Sequence, residues 1–344
     1  MIKNRTIGVG HPCFVIAEAG VNHNGELHLA KKLVDASVAA RADAVKFQTF
    51  TPQGVVVQNT SIAEYAQNNI EKNMKQIDML KKYALNYDHF IDLKEYCDRK
   101  NIIFLSSPHS FDAIDFLDPL VPAYKFGSGD LTNISALQHA AKKNKPMILG
   151  TGMATLEEVK HAYQAVLSMG NTQIILLHCT TNYPCSYEEV NLRAMSTMQH
   201  ELNCLVGYSD HTQGHLVSAV ALALGASVIE KHITLDRNLP GPDHKASLEP
   251  HEFTDMICQI RNVEKILGSS EKRPTESEKA IRKTVRKSII TARNIKKGEI
   301  ITRDMVVIKR PGSGISPAEI EKIIGKKTKK DITVDEILHW DMVE

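Results

Sequence analysis

Eight short apolar runs, near-evenly spaced, constrain this chain more than anything else in it. They are Phe14–Ala17, Ala44–Phe47, Ile102–Leu105, Ala123–Phe126, Pro146–Leu149, Ile174–Leu177, Cys204–Val206 and Ser227–Ile229. Each has the length of a strand, and the segments between them carry apolar residues at helical spacing. Glu26–Ala40 is typical, with Lys and Asp on its other face. Eight β–α alternations over roughly the first 265 residues predict a closed (βα)8 TIM barrel, an α/β fold of ~250 residues. A doubly wound open sheet is the alternative, and the even spacing favours closure.

Barrel chemistry sits where strands end. The ends here are polar or small: Glu18 to Gly25 after strand one, Gln48-Thr49 after strand two, Ser106 to His109 after strand three, Gly127 to Asp130 after strand four. Gly150 to Met153 and His178 to Pro184 follow strands five and six. The last two strands lead into Gly207-Tyr208-Ser209-Asp210-His211 and Glu230-Lys231-His232. The apolar segment Leu216–Gly225 between them reads as a crossover helix, so the strands run parallel and His211 and His232 emerge at one edge. Two such imidazoles suit a divalent metal with positions left open for water or substrate. They also suit a plain polar cap on the barrel rim, but neighbouring Ser209, Asp210 and Glu230 favour the metal.

Lys46 and Lys125 each interrupt an otherwise apolar strand. A buried ammonium is costly unless paired. Two readings are open: a structural salt bridge inside the barrel, or two cations holding a small dianion among the hydroxyls of Ser107, Ser128 and Ser209. A phosphate with a carboxylate fits the second better than a neutral sugar.

The remainder of the 344 residues has a different character. A polar stretch, 271–285, reads as a linker between a barrel at 1–270 and a small, mostly β domain at 286–344. Within that domain a Ser316-Pro317-x-Glu319 signature opens a short helix that stops at Gly325. Residues 271–330 hold 18 Lys and Arg against 7 Asp and Glu, without interleaved aromatics, so nucleic acid is not the expected partner. No apolar run approaches the ~20 residues that span a bilayer, and the N-terminus does not read as a signal peptide. The six cysteines show no CxxC pairing, so a reduced, cytoplasmic protein is expected.

The ordered strings resemble the sialic acid synthase family almost end to end. They are Glu18-x-Gly20-x-Asn22-His23-x-Gly25, Val45-Lys46-x-Gln48-Thr49, Lys125-x-Gly127-Ser128-Gly129, Thr151-Gly152-Met153, Gly207-x-Ser209-Asp210-His211 and Glu230-Lys231-His232. Gly241 to Leu248 and Lys309-Arg310-Pro311-Gly312-x-Gly314 follow. The resemblance implies a (βα)8 barrel followed by an antifreeze-like SAF domain of β-clip type. It implies condensation of phosphoenolpyruvate with open-chain N-acetylmannosamine and water, giving N-acetylneuraminate and phosphate. The alternative is N,N'-diacetyllegionaminate synthesis from 2,4-diacetamido-2,4,6-trideoxymannose by the same mechanism.

By the same resemblance, His211 and His232 ligate Mn2+, with Mg2+ or Co2+ as substitutes. Lys46, Ser107, Lys125, Ser128 and Ser209 hold phosphoenolpyruvate. Gln48, Asp130, Tyr183 and Asp243 face the sugar, and Arg310 reaches it across a domain-swapped homodimer. Glu18, at the end of strand one, is the expected base toward water. Two positions depart from the pattern: Thr181 stands where some members have Asn, with Asn182 next, and Asp130 stands where many have Glu. A seven- or eight-carbon keto-acid synthase is the rival enzyme, disfavoured by the C-terminal domain. A non-catalytic sugar- or ice-binding protein is disfavoured by Glu18, both His and both Lys on one rim.

Overall fold

A computed structural model describes residues 1–58, 60–62 and 75–344. They form two compact units, Met1–Gly268 and Ser269–Glu344.

The first unit is the expected barrel. Its strands are β1 (Phe14–Gly20), β2 (Ala44–Thr49), β3 (Ile103–Pro108), β4 (Tyr124–Phe126), β5 (Met147–Gly150), β6 (Ile174–His178), β7 (Leu205–Asp210) and β8 (Val228–His232). All the hydrogen-bonded pairs are parallel, in the order β3-β2-β1-β8-β7-β6-β5-β4. The end strands β3 and β4 also lie against each other, which closes the ring. β7 and β8 are joined through the helix Leu216–Ala223, as their apolar connection requires.

Alternation along each strand sorts the side chains into two sets. Val15, Ala17, Val45, Phe47, Phe104, Tyr124, Leu176 and Val206 point outward into the layer shared with the helices. Phe14, Ile16, Ala44, Leu105, Ile148, Leu177 and Val228 point inward and fill the N-terminal half of the barrel, where Ile2 joins them. The interior is tight: a Cβ on Gly207 would lie 2.4 Å from the Val228 carbonyl oxygen and 2.6 Å from Leu177. Continued by two residues, the inward set turns from apolar to charged, and there the site begins.

The second unit carries the antiparallel pair β9 (Ser288–Thr291) and β10 (Val306–Lys309). Its core gathers Ile289, Ile295, Ile301, Ile315, Ile323, Ile332 and Leu338. Ser316 caps the short helical turn as its signature predicts, accepting from the Ala318 N–H, and Gly325 follows at φ 85. The stretch expected to be a plain linker is different in kind. It contains a helix, Glu276–Val285, started by a reciprocal Thr275–Glu278 capping box. That helix buries none of its residues, which is why a hydrophobicity-based reading takes the segment for linker. Acidic residues near the C-terminus pair with the basic stretch inside this unit, Asp331 with Lys296 at 3.0 Å and Glu336 with Lys330 at 3.4 Å.

Candidate active site

Parallel register sets the site. Glu18 lies opposite Lys46 on β2 and opposite His232 on β8, and Ser209 lies opposite Glu230. All of them are inward positions near the C-terminal strand ends. Lys46 and Lys125 therefore point into the barrel, as expected, and the salt-bridge reading of their burial also describes them. Lys46 Nζ is 2.6 Å from Glu18 Oε2, 3.8 Å from Glu230 Oε2 and 3.2 Å from Ser107 Oγ. Lys125 Nζ is 3.3 Å from Glu230 Oε1, which also accepts from Ser209 Oγ at 3.0 Å. Two ammonium groups and two carboxylates thus form one buried, charge-balanced cluster.

Glu230, which the sequence reading counts only as a neighbour of the histidines favouring the metal, is a full member of this cluster. Its signal was available, since alternation puts Glu230 and His232 on one face and Lys231 on the other. Burial works against its charge, but Lys125 and Lys46 prevail and hold the carboxyl below its ordinary range. For Glu18 burial prevails and raises the pKa, with Lys46 opposing it. The ammonium of Lys46 is itself stabilised against burial by Glu18 and Glu230. Gln48 Nε2 donates to Glu18 Oε1 at 3.0 Å, so its amide orients that carboxylate.

Asp210, the neighbouring carboxylate, is turned away from the site. It pairs with Lys231 at 3.2 Å and accepts from the Thr212 N–H, Thr212 Oγ1 and Ser218 Oγ. Lys231 also donates to the Thr212 carbonyl. This outward pair ties β7 and β8 together on either side of the two histidines.

His211 and His232 have ring centroids 5.7 Å apart, and Tyr183 lies over His211 at 4.1 Å. The Thr180 carbonyl accepts from His211 Nδ1 at 2.7 Å, which fixes the proton there and leaves Nε2 with a lone pair. Burial holds His211 down to about 4 and His232 well below its ordinary value, so both imidazoles are neutral. His232 Nδ1 is buried and has no hydrogen-bond partner among the described residues; the nearest carboxylate oxygen, on Asp243, is 4.0 Å away. Neutral rings, one held by a backbone carbonyl and one with an orphaned nitrogen, fit a divalent ion. Among the described residues no group of three or more His, Cys, Asp or Glu is set to hold one, so this pair would leave most positions to water or substrate.

Beside these rings is a cavity of about 260 Å³, lined on its polar side by Gln48, Ser128, Thr181, Tyr183, His232 and Asp243. Burial, reinforced by Glu18, pushes the Asp243 carboxyl up to about 7. Ser128 Oγ accepts from the Gly152 N–H at 3.0 Å and lies 3.1 Å from Cys179 Sγ. A Cβ on Gly152 would come within 2.2 Å of Thr181 Oγ1, so the Thr-Gly-Met turn needs its glycine. Thr181 Oγ1, rather than anything from exposed Asn182, is turned in and has no partner among the described residues. Asp130 sits at the margin, 3.1 Å from His109 Nδ1. Arg310 belongs to the other unit, exposed directly after β10.

The chain matches the NeuB family model over residues 33–272 and the SAF domain model over 286–344. It is 45% identical to an N,N'-diacetyllegionaminic acid synthase of Legionella pneumophila, over 98% of this chain and 96% of that protein. It is 35% identical to the N-acetylneuraminate-9-phosphate synthase of Homo sapiens, over 100% of this chain and 96% of that one. A solved N-acetylneuraminic acid synthetase from Leptospira borgpetersenii, in complex with citrate, superposes with a TM-score of 0.72 at 33% identity, covering 82% of this chain and 94% of that chain. The chain belongs to the NeuB family, with a SAF domain following the barrel in the sequence, and is a phosphoenolpyruvate-dependent condensing enzyme.

Proposed function

We propose that this enzyme condenses phosphoenolpyruvate with an open-chain, N-acylated mannosamine-type sugar and water to give a nine-carbon 2-keto acid and phosphate. One observation carries the reading: Lys46 and Lys125 meet Glu18 and Glu230 in a buried cluster directly beside two neutral imidazoles. Lys46 and Lys125, with Ser107, Ser128 and Ser209, hold the phosphate and carboxylate of phosphoenolpyruvate. Gln48, Tyr183 and Asp243 line the space for the sugar, with Asp130 at its edge. His211 and His232 would hold a divalent ion, Mn2+ by resemblance with Mg2+ or Co2+ as substitutes, and that ion supplies Lewis-acid polarisation of the sugar's aldehyde oxygen.

C3 of phosphoenolpyruvate forms the new bond to the aldehyde carbon, and water adds at C2. Glu18, its proton affinity raised by burial and its carboxylate paired with Lys46, takes the proton from that water. The C2–O bond to phosphate then breaks, and the two ammonium groups stabilise the departing anion. Of the two sugars expected from the sequence, the 2,4-diacetamido-2,4,6-trideoxy sugar is supported by the relative of higher identity, a legionaminic acid synthase. N-acetylmannosamine is the second reading. A homodimer in which Arg310 of the partner subunit completes each sugar site belongs to the same proposal. Return of activity on mixing Arg310→Ala with His211→Ala subunits supports it, and no return after proven subunit exchange removes it.

Phosphate release from phosphoenolpyruvate is the primary measurement, with metal-depleted enzyme and each sugar in turn. Turnover should require added Mn2+ and an amino sugar together. Turnover without any sugar, or none with every sugar tried, would overturn the reading.

A further inference from the structure

The cavity beside His232 has a second side. Besides Gln48 and Asp243 its lining includes the apolar side chains of Val21, Ile62, Met79, Leu80 and Tyr83. Most of this wall comes from one element, the helix Gln76–Tyr83. Gln76, Met79, Leu80 and Tyr83 stand at i, i+3, i+4 and i+7, and all four line the cavity. The charged residues of the helix face away, where Lys81 pairs with Asp78 at 3.2 Å. The wall is backed by a small apolar cluster of Val21, Phe50 and Tyr83 with Met79 and Leu80 packed on it.

The helix is seated tightly. A Cβ on Gly25, which has φ 79, would lie 2.4 Å from the Lys82 carbonyl oxygen. The glycine that ends the Glu18 to Gly25 string therefore lets the helix settle on the barrel mouth, with its apolar face over the cavity.

A substrate with its aldehyde at the histidine end and its body in this cavity meets this wall with its far end if it extends toward helix Gln76–Tyr83. Among the described residues no Lys or Arg lines the cavity. A phosphate set against this apolar face would lose its hydration, and the face itself carries no cation to replace it. A methyl group and a neutral amide lose little, and Gln76 offers both a donor and an acceptor to an amide.

We propose that helix Gln76–Tyr83 is the specificity element of this enzyme, its apolar face accepting a deoxygenated, acylated distal end of the sugar and rejecting a phosphorylated one. The inference rests on the reading above that this cavity binds the sugar.

The test compares kcat/KM for 2,4-diacetamido-2,4,6-trideoxymannose, N-acetylmannosamine and N-acetylmannosamine 6-phosphate in the wild type, Leu80→Arg, Met79→Gln and Leu80→Met. The wild type should prefer the trideoxy sugar to N-acetylmannosamine by about 10–200-fold, the range that one or two apolar contacts provide. The 6-phosphate should be the poorest of the three. Leu80→Arg should lose on the trideoxy sugar and gain on the 6-phosphate, while its KM for phosphoenolpyruvate stays near that of the wild type. Met79→Gln should narrow the preference, and Leu80→Met should keep it. Wild-type preference for the 6-phosphate, or variants that scale all three sugars alike, would overturn the inference and leave the condensing reaction standing. Absence of turnover with every sugar would remove the underlying reading and this inference with it.

Discussion

The floor and the mouth of the barrel are built from the same strands, on the same inward face, two residues apart. Ile16 becomes Glu18, Ala44 becomes Lys46, Leu105 becomes Ser107, and Val228 becomes Glu230. Below, each large apolar side chain contributes on the order of 1.5–3 kcal/mol by leaving water. Above, each buried ion costs several kcal/mol to desolvate and regains it only through close pairing. The floor therefore stabilises the barrel, and the mouth is tolerated because Lys46, Lys125, Glu18 and Glu230 neutralise one another. Mutations on the two levels should separate stability from turnover.

The largest separation is expected at the floor. Phe14→Ala should cost about 3–5 kcal/mol in denaturant unfolding, with normal turnover in the protein that remains folded. A loss below about 1 kcal/mol would mean that the floor is not the stabilising layer.

One level up, Glu18→Gln keeps the shape and the contact with Gln48 but removes the base. Turnover should drop by ~10²-fold, about 2.7 kcal/mol on the barrier, in a protein that still folds at the assay temperature. Near-normal turnover would pass the base role to Glu230, the other inward carboxylate of the cluster.

The smallest effect sharpens the comparison through pH. The Asp243 carboxyl is raised to about 7 in the folded protein from its usual 3.8, so the folded state binds the extra proton. Stability from that proton is present at low pH and lost as pH rises from about 4 to about 7. Asp243→Asn should then raise the melting temperature of the metal-free protein by a few degrees at pH 8 and leave it unchanged below pH 4. An equal shift at both values would show that the carboxyl is not held protonated by its surroundings.

All eight strands lie within a few residues of where their apolar runs place them, because a strand buried on both faces must be apolar throughout. The two lysines stand out for the same reason: in such a run only a functional or paired ion survives. Less legible were the partners. Glu230 and Lys231 are adjacent in the chain, yet one faces the site and the other joins Asp210 behind the barrel wall. The helix Glu276–Val285 was hidden by its own exposure, since it presents no buried stripe to read.

By itself the sequence determined the barrel, its polar rim and the pair of strand-end histidines, because strand periodicity and strand-end position are local properties of the chain. Only the tertiary structure decided which charges neutralise which, since Glu18, Lys46, Lys125 and Glu230 come from four strands whose register is set by hydrogen bonding between neighbours. It also decided that helix Gln76–Tyr83 turns an apolar face over the cavity, because the close approach of Gly25 to the Lys82 backbone is a contact between segments that are distant in the chain.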